Sequence, residues 1–114
     1  MTSQGSAHGR FARAIETRNL WAAEIALREI RDPSLADALD YLALLAEIRP
    51  DKAGRAAVRW HGRLELEAST LTLPESQLAL AALSSLAAGD REAIAVLRRL
   101  VRRALPTAVR RFGA

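Results

Sequence analysis

The sequence predicts an all-α domain built from short helices arranged as antiparallel hairpins. Three observations carry this. Half of the residues are hydrophobic while only 4% are aromatic, so Leu and Ala, both strong helix formers, must fill the interior. Apolar residues recur at three- and four-residue spacing through most of the chain. Nowhere do four or more β-branched or aromatic residues alternate with polar ones, as a half-buried strand requires.

Residues 1–9, rich in Ser, Gly, Thr and Gln, read as a flexible N-terminal tail that contains His8. A first helix is expected from about Arg10 to Thr17, with Phe11 and Ile15 on its apolar side. Asn19 is the cap of a second helix reaching about Arg31, in which Leu20, Ala23, Leu27 and Ile30 form one buried face. Trp21 and Ile25 lie opposite, so this helix needs a second packing partner, which the first helix is placed to supply. Asp32-Pro33 reads as the start of a third helix to about Arg49, a capping side chain followed by a ring already at a helical φ. Leu35, Leu39, Leu42 and Leu45 make its main stripe, and Tyr41, Leu44 and Ile48 spread apolar character most of the way round. Only a narrow acidic strip of Asp37, Asp40 and Glu47 remains, which is the pattern of a central helix.

Pro50 ends that helix and Asp51 opens a fourth to about Ser69, with Ala53, Ala57, Trp60 and Leu64 on one face and Arg55, Arg59 and Arg63 along another. Gly62 inside it costs roughly 1 kcal/mol relative to Ala unless close packing compensates. Thr72-Leu-Pro-Glu75 is a capping box with Pro at the first helical position, starting a fifth helix that Gly89 ends. Asp90 is the expected cap of a sixth helix running to Leu105, before Pro106 and a basic C-terminal tail over residues 106–114. The 114 residues suit a single domain, placed at residues 10–105.

A faint doubling links the later segments. Pro33, Leu39, Leu42 and Leu45 match Pro74, Leu80, Leu83 and Leu86 at an offset of 41, and Arg55-Ala-Ala-Val58 with Leu64 matches Arg91-Glu-Ala-Ile94 with Leu100 at an offset of 36. Hairpins of about 40 residues are the unit of HEAT-type arrays. Two packings therefore stay open, a HEAT- or TPR-like stack of hairpins and an irregular helical bundle. The run Arg55-Ala-Ala-Val-Arg-Trp-His-Gly-Arg-Leu-Glu-Leu-Glu-Ala68, then Leu71-Thr-Leu-Pro-Glu-Ser-Gln-Leu-Ala-Leu-Ala-Ala-Leu83, with Arg18-Asn-Leu-Trp-Ala-Ala-Glu24 upstream, resembles a recurrent family of small uncharacterised α-helical proteins from actinobacteria. The resemblance covers most of residues 10–90 and implies no activity, so it assigns no functional residue. Sixteen of the seventeen basic residues are Arg, with Lys52 the exception, a codon signature of a high-GC bacterial genome.

The absence of cysteine excludes disulfides, thiolate chemistry and cysteine-based zinc sites. Met1 to Arg10 has no apolar core of a signal peptide, and the longest uncharged stretch, Ser76 to Gly89, is shorter than a membrane span, so a soluble cytoplasmic protein is expected. His8 and His61 are the only histidines, and only His61, with Glu65 one helical turn on, could pair on a helix face. No phosphate loop, HExxH or GxSxG occurs, so neither catalysis nor a cofactor or metal is expected. Trp21 and Trp60 each admit two readings, an interface anchor or a large packing residue.

Charge is unevenly spread. From residue 91 onward there are seven arginines against one acid, Glu92, or +6, so residues 1–90 carry −2 of the net +4. At 3.6 residues per turn Arg91, Arg98 and Arg102 align, and Arg99 and Arg103 widen the stripe to an arc of roughly 140°. Arg110 and Arg111 follow beyond Pro106. A helix-turn-helix over Ser84 to Val101 fits poorly, because Ala95 and Arg98 stand where larger apolar residues are usual.

The sequence thus points to a non-catalytic protein-interaction or adaptor module. Its partner is a second protein or a second copy, met through the Ser76 to Ala88 helix, Leu78 included, or through Trp21 and Ile25. The alternative is nucleic-acid binding through Arg91, Arg98, Arg99, Arg102, Arg103, Arg110 and Arg111. No small-molecule substrate is implied.

Overall fold

A computed structural model of the chain describes residues 6–105; Arg110, Arg111 and the rest of the expected C-terminal tail lie outside the described residues. Six helices follow in order: α1 (Ala7–Glu16), α2 (Leu20–Glu29), α3 (Leu35–Ile48), α4 (Pro50–Glu67), α5 (Leu73–Ala87) and α6 (Ala93–Ala104). There is no strand among the described residues, and no helix among them is long and apolar enough to cross a membrane.

The helix ends show which local signals win. Asn19 caps α2 by accepting from the Ala22 N–H, and Thr72 with Glu75 closes the reciprocal box at the start of α5. Four starts differ from expectation, those of α1, α3, α4 and α6. α1 begins at Ala7 because Ser6 Oγ accepts from the Gly9 N–H at 3.0 Å, which takes His8 out of the expected tail and into the helix. α3 begins at Leu35, two residues after Pro33, because Ser34 Oγ accepts from the Asp37 N–H at 3.0 Å and displaces Asp32 as the cap. Pro50 is the first residue of α4, leaving Arg49 as the single residue between α3 and α4; a first helical position has no use for the N–H that Pro lacks.

α6 begins only at Ala93. Asp90 still caps, but it caps a tighter entry turn, in which its carboxylate accepts from the Glu92 N–H and successive backbone bonds run from Ala93, Ile94 and Ala95 three residues back. Arg91 therefore sits in that turn rather than on the α6 stripe. At the other end of α5, Gly89 adopts φ 105°, and the Asp90 N–H reaches back to the Ser85 carbonyl at 2.9 Å. α1 closes the same way with Arg18 at φ 58°, a conformation that disfavours any side chain with a Cβ.

Helices α3 to α6 each pack on the next, and the ring closes through α3 and α6, giving a four-helix bundle rather than a stacked array. The doubling seen in the sequence is not structural in its second half, since Arg55 lies inside α4 whereas Arg91 precedes α6. α3 also meets α1 and α2, so it touches every other helix and is the central one, as its nearly all-round apolar pattern requires. It divides its leucines between two cores. Leu35, Leu39 and Leu42 face the bundle with Leu64, Leu83 and Leu97. Leu44 closes a smaller cluster with Phe11, Ala14, Ala23, Ala26 and Ile30 of the α1–α2 hairpin.

The two tryptophans have opposite fates. Trp60 is 3% exposed and its indole N–H donates to the Leu35 carbonyl at 2.9 Å, tying α4 to the start of α3. Trp21 is 74% exposed. The expected second packing partner for α2 is missing on that side, because α1 and α3 both pack on the sector of Ala23, Ala26 and Leu27.

Candidate functional site

Of the five arginines of the basic cluster that lie among the described residues, three stand against acids from other helices. Arg98 meets Asp40 at 2.8 Å, Arg91 approaches Glu47 at 4.0 Å, and Arg103 pairs with Glu75 while also donating to the Thr70 carbonyl at 3.0 Å. Glu47 additionally pairs with Arg18, and Asp37 with His8 at 2.8 Å. The acidic strip of α3 thus divides its charge, Asp37 and Glu47 pairing with the N-terminal His8 and Arg18, and Asp40 with Arg98 of α6, while Glu47 also comes within 4.0 Å of Arg91. Arg99 and Arg102 alone of these five have no acidic partner among the described residues. Each pair is partly exposed and adds little to stability, but Asp40 and Glu75 offset two of the five charges, and Glu47 shares its charge between Arg91 and Arg18.

A second candidate is the outer face of α5. The helix buries Ser76, Ala79, Ala82, Leu83 and Leu86 and leaves Leu78, Leu80, Ala81, Ser84 and Ser85 in solvent. Between Ser76 and Ala88 there is no charged residue. Alongside runs a shallow groove of about 280 Å³ with Gly54, Ala57 and Ala87 among its lining, flanked by Leu80 and by Val58, which is 70% exposed. Of the expected interface residues, Trp21, Ile25 and Leu78 all reach solvent. They do not form one patch, since α2 and α5 share no substantial packing contact.

No protein-family model, curated protein or solved structure matches the chain. The chemistry of the site is therefore read from its own residues.

His61 is 8% exposed and ties α4 to α5. Its Nε2 lies 3.0 Å from the Ser76 hydroxyl and 3.2 Å from the Ser76 carbonyl, and that hydroxyl in turn donates to Glu65 at 2.6 Å. A carbonyl only accepts, and the Ser76 proton is committed to Glu65, so Nε2 carries the hydrogen and donates to Ser76. A serine nucleophile needs the reverse, an imidazole nitrogen that accepts the hydroxyl proton. The His61–Ser76–Glu65 chain is thus built to clamp two helices. Glu65 was legible beside His61 in the sequence at one-turn spacing. Ser76 was not, because only the packing of α5 on α4 brings it there.

The α1–α2 hairpin rides on α3 and leaves a groove on either side of it. On the α1 and α6 side a cleft of about 610 Å³ is lined by charge, with Arg18, Asp40, Glu47, Arg91 and Arg98 set over Leu44 and Ile94. On the α4 side a groove of about 560 Å³ has an apolar floor of Ala38, Leu42, Ala56 and Trp60. Tyr41 and Arg59 supply its polar groups. Burial pushes the Tyr41 phenol above its ordinary range, with Glu24 adding to the shift and Arg28 and Arg59 opposing it. Among the described residues no three of His, Cys, Asp and Glu come together as a metal site.

Proposed function

We propose that this chain is a non-catalytic protein-interaction module that self-associates through the uncharged outer face of α5. The observation that carries this reading is that face itself: a helix with no charge from Ser76 to Ala88, half in solvent, beside the exposed Val58. Exposed apolar side chains gathered on an uncharged surface mark a contact site, and here Leu80 and Val58 border one groove. A chain of net charge +4 repels its own copies elsewhere on its surface, whereas here two copies meet without opposing like charges. A two-fold arrangement would lay the α5 faces of two copies against each other. The absence of a catalytic role in this reading rests on the donor role of His61.

Sedimentation equilibrium tests it. The expected result is a reversible dimer whose dissociation constant rises about tenfold or more in Leu80→Glu, because an unpaired carboxylate would have to be desolvated at the contact. A chain that stays monomeric up to about 1 mM overturns self-association.

Nucleic-acid binding is the second reading, and it rests on Arg99 and Arg102 lacking acidic partners among the described residues. It predicts salt-dependent retention on DNA that falls when both are changed to Ser and rises when Asp40→Asn and Glu47→Gln release Arg98 and Arg91. Retention indifferent to both sets of changes rules this surface out.

A further inference from the structure

We infer that the groove between α3 and α4 binds a small amphiphilic carboxylate, its head held by Arg59 and Tyr41 and its apolar body laid over Ala38 and Ala56, above the buried Leu42 and Trp60, toward Leu66. Three features of the groove point to such a ligand. First, an open groove of about 560 Å³ over an apolar floor is within the size range of small-molecule sites. Leu66 stands at its edge 87% exposed, an apolar side chain that nothing among the described residues covers. Gly62 contributes no side chain to the wall, and a Cβ placed there would meet nothing within 4 Å, so no packing within the chain accounts for a glycine inside this helix.

Second, the polar groups converge and are unused. Arg63, also in the lining, is committed, donating to the Pro33 carbonyl at 2.9 Å and to Glu67 at 2.7 Å. Arg59 has neither an ion pair nor a hydrogen bond among the described residues, and the Tyr41 hydroxyl has no hydrogen-bond partner there. A half-buried phenol ordinarily finds a partner. Glu24, the acid nearest the phenol, is paired with Arg28 at 2.7 Å.

Third, charge selects the head group. No acid lines the groove, so a cationic ligand has no counter-charge. One free guanidinium beside one hydroxyl matches a two-oxygen monoanion, the guanidinium taking both oxygens and the phenol donating to one of them. A phosphate dianion would leave charge unmet. Sequence reading gives no hint of this site, because Tyr41 and Arg59 lie on different helices and meet only when α3 packs on α4.

The test uses dodecanoate in a Trp21→Phe chain, in which Trp60 is the remaining tryptophan. Trp60 fluorescence and the Gly62 backbone amide resonance are followed together below micelle-forming concentrations. Expected is saturable binding, weakened about tenfold or more by Arg59→Gln and less by Tyr41→Phe, with dodecanol weaker and dodecylammonium not binding. Arg59 has no partner to lose, so its variant should melt as the parent does. No saturable change in either signal, equal binding by dodecylammonium, or equal binding by the Arg59→Gln chain each overturns the inference. Leu80→Glu should leave dodecanoate binding unchanged, so this site stands or falls separately from the α5 face.

Discussion

Changing each tryptophan in turn tests whether the fold divides them as described. Trp60→Phe removes the indole N–H that donates to the Leu35 carbonyl and leaves a void in the contact between α3 and α4. The lost hydrogen bond is worth about 1 kcal/mol. The void adds about 1–2 kcal/mol, less than the full cost of a Trp truncated to Ala. Together they destabilise by roughly 2–3 kcal/mol, and at about 4–8 °C per kcal/mol for a domain of this size the melting temperature should fall by roughly 8–24 °C. Trp21→Ala deletes more atoms, yet the side chain is 74% exposed, so its effect should stay within about 0.5 kcal/mol. Thermal and urea unfolding followed by far-ultraviolet circular dichroism measures both. If Trp60→Phe is neutral, or if Trp21→Ala costs as much as Trp60→Phe, the assignment of one to the core and the other to solvent is wrong.

Two further outcomes follow from named contacts. Gly62→Ala should stabilise the chain by about 0.5–1 kcal/mol in urea unfolding, because the helix interior disfavours Gly and the added methyl meets open space; destabilisation would reveal a neighbour at that position. Glu75 is held below the ordinary carboxylate range, first by the Thr72 backbone N–H and then by the Arg103 and Thr72 side chains. A carboxyl group more acidic in the fold than in the unfolded chain stabilises fully above its unfolded pKa, and that contribution is lost as pH falls through the folded value. Urea midpoints of the parent should therefore drop more steeply between about pH 5 and 3 than those of Glu75→Gln, and parallel curves would show that the capping box does not titrate.

Local signals were legible where one residue acts on its own backbone. Asn19, the Thr72–Glu75 box and Gly89 did what their chemistry dictates, and the crowded apolar pattern of Leu35 to Ile48 marked the central helix. Where two local signals competed, the sequence did not rank them. Ser34 took the cap from Asp32 and Ser6 recruited His8, because a hydroxyl bonded to an N–H three residues on decides the start, and neighbouring residues offer that bond almost equally well. The doubling at offsets of 41 and 36 looked like a repeat because Ala/Leu-rich helices share a period, whatever their packing.

For the candidate sites, composition located charge but not its partners. The +6 at one end and the acidic strip on α3 were both visible, and their opposition was the available hint that they belong together. Joining Asp40 to Arg98 requires α6 to pack on α3, a contact across 58 residues of chain. The same reason separates Trp60 from Trp21, gives His61 its serine, and brings Tyr41 to Arg59. By itself the sequence determined helix content, the approximate extent of each helix and the uncharged length of α5, since these depend on residues within a few positions of one another. Only the tertiary structure decided which side chains stay unpartnered, because that depends on which helices meet, and it is those side chains that carry the functional proposals.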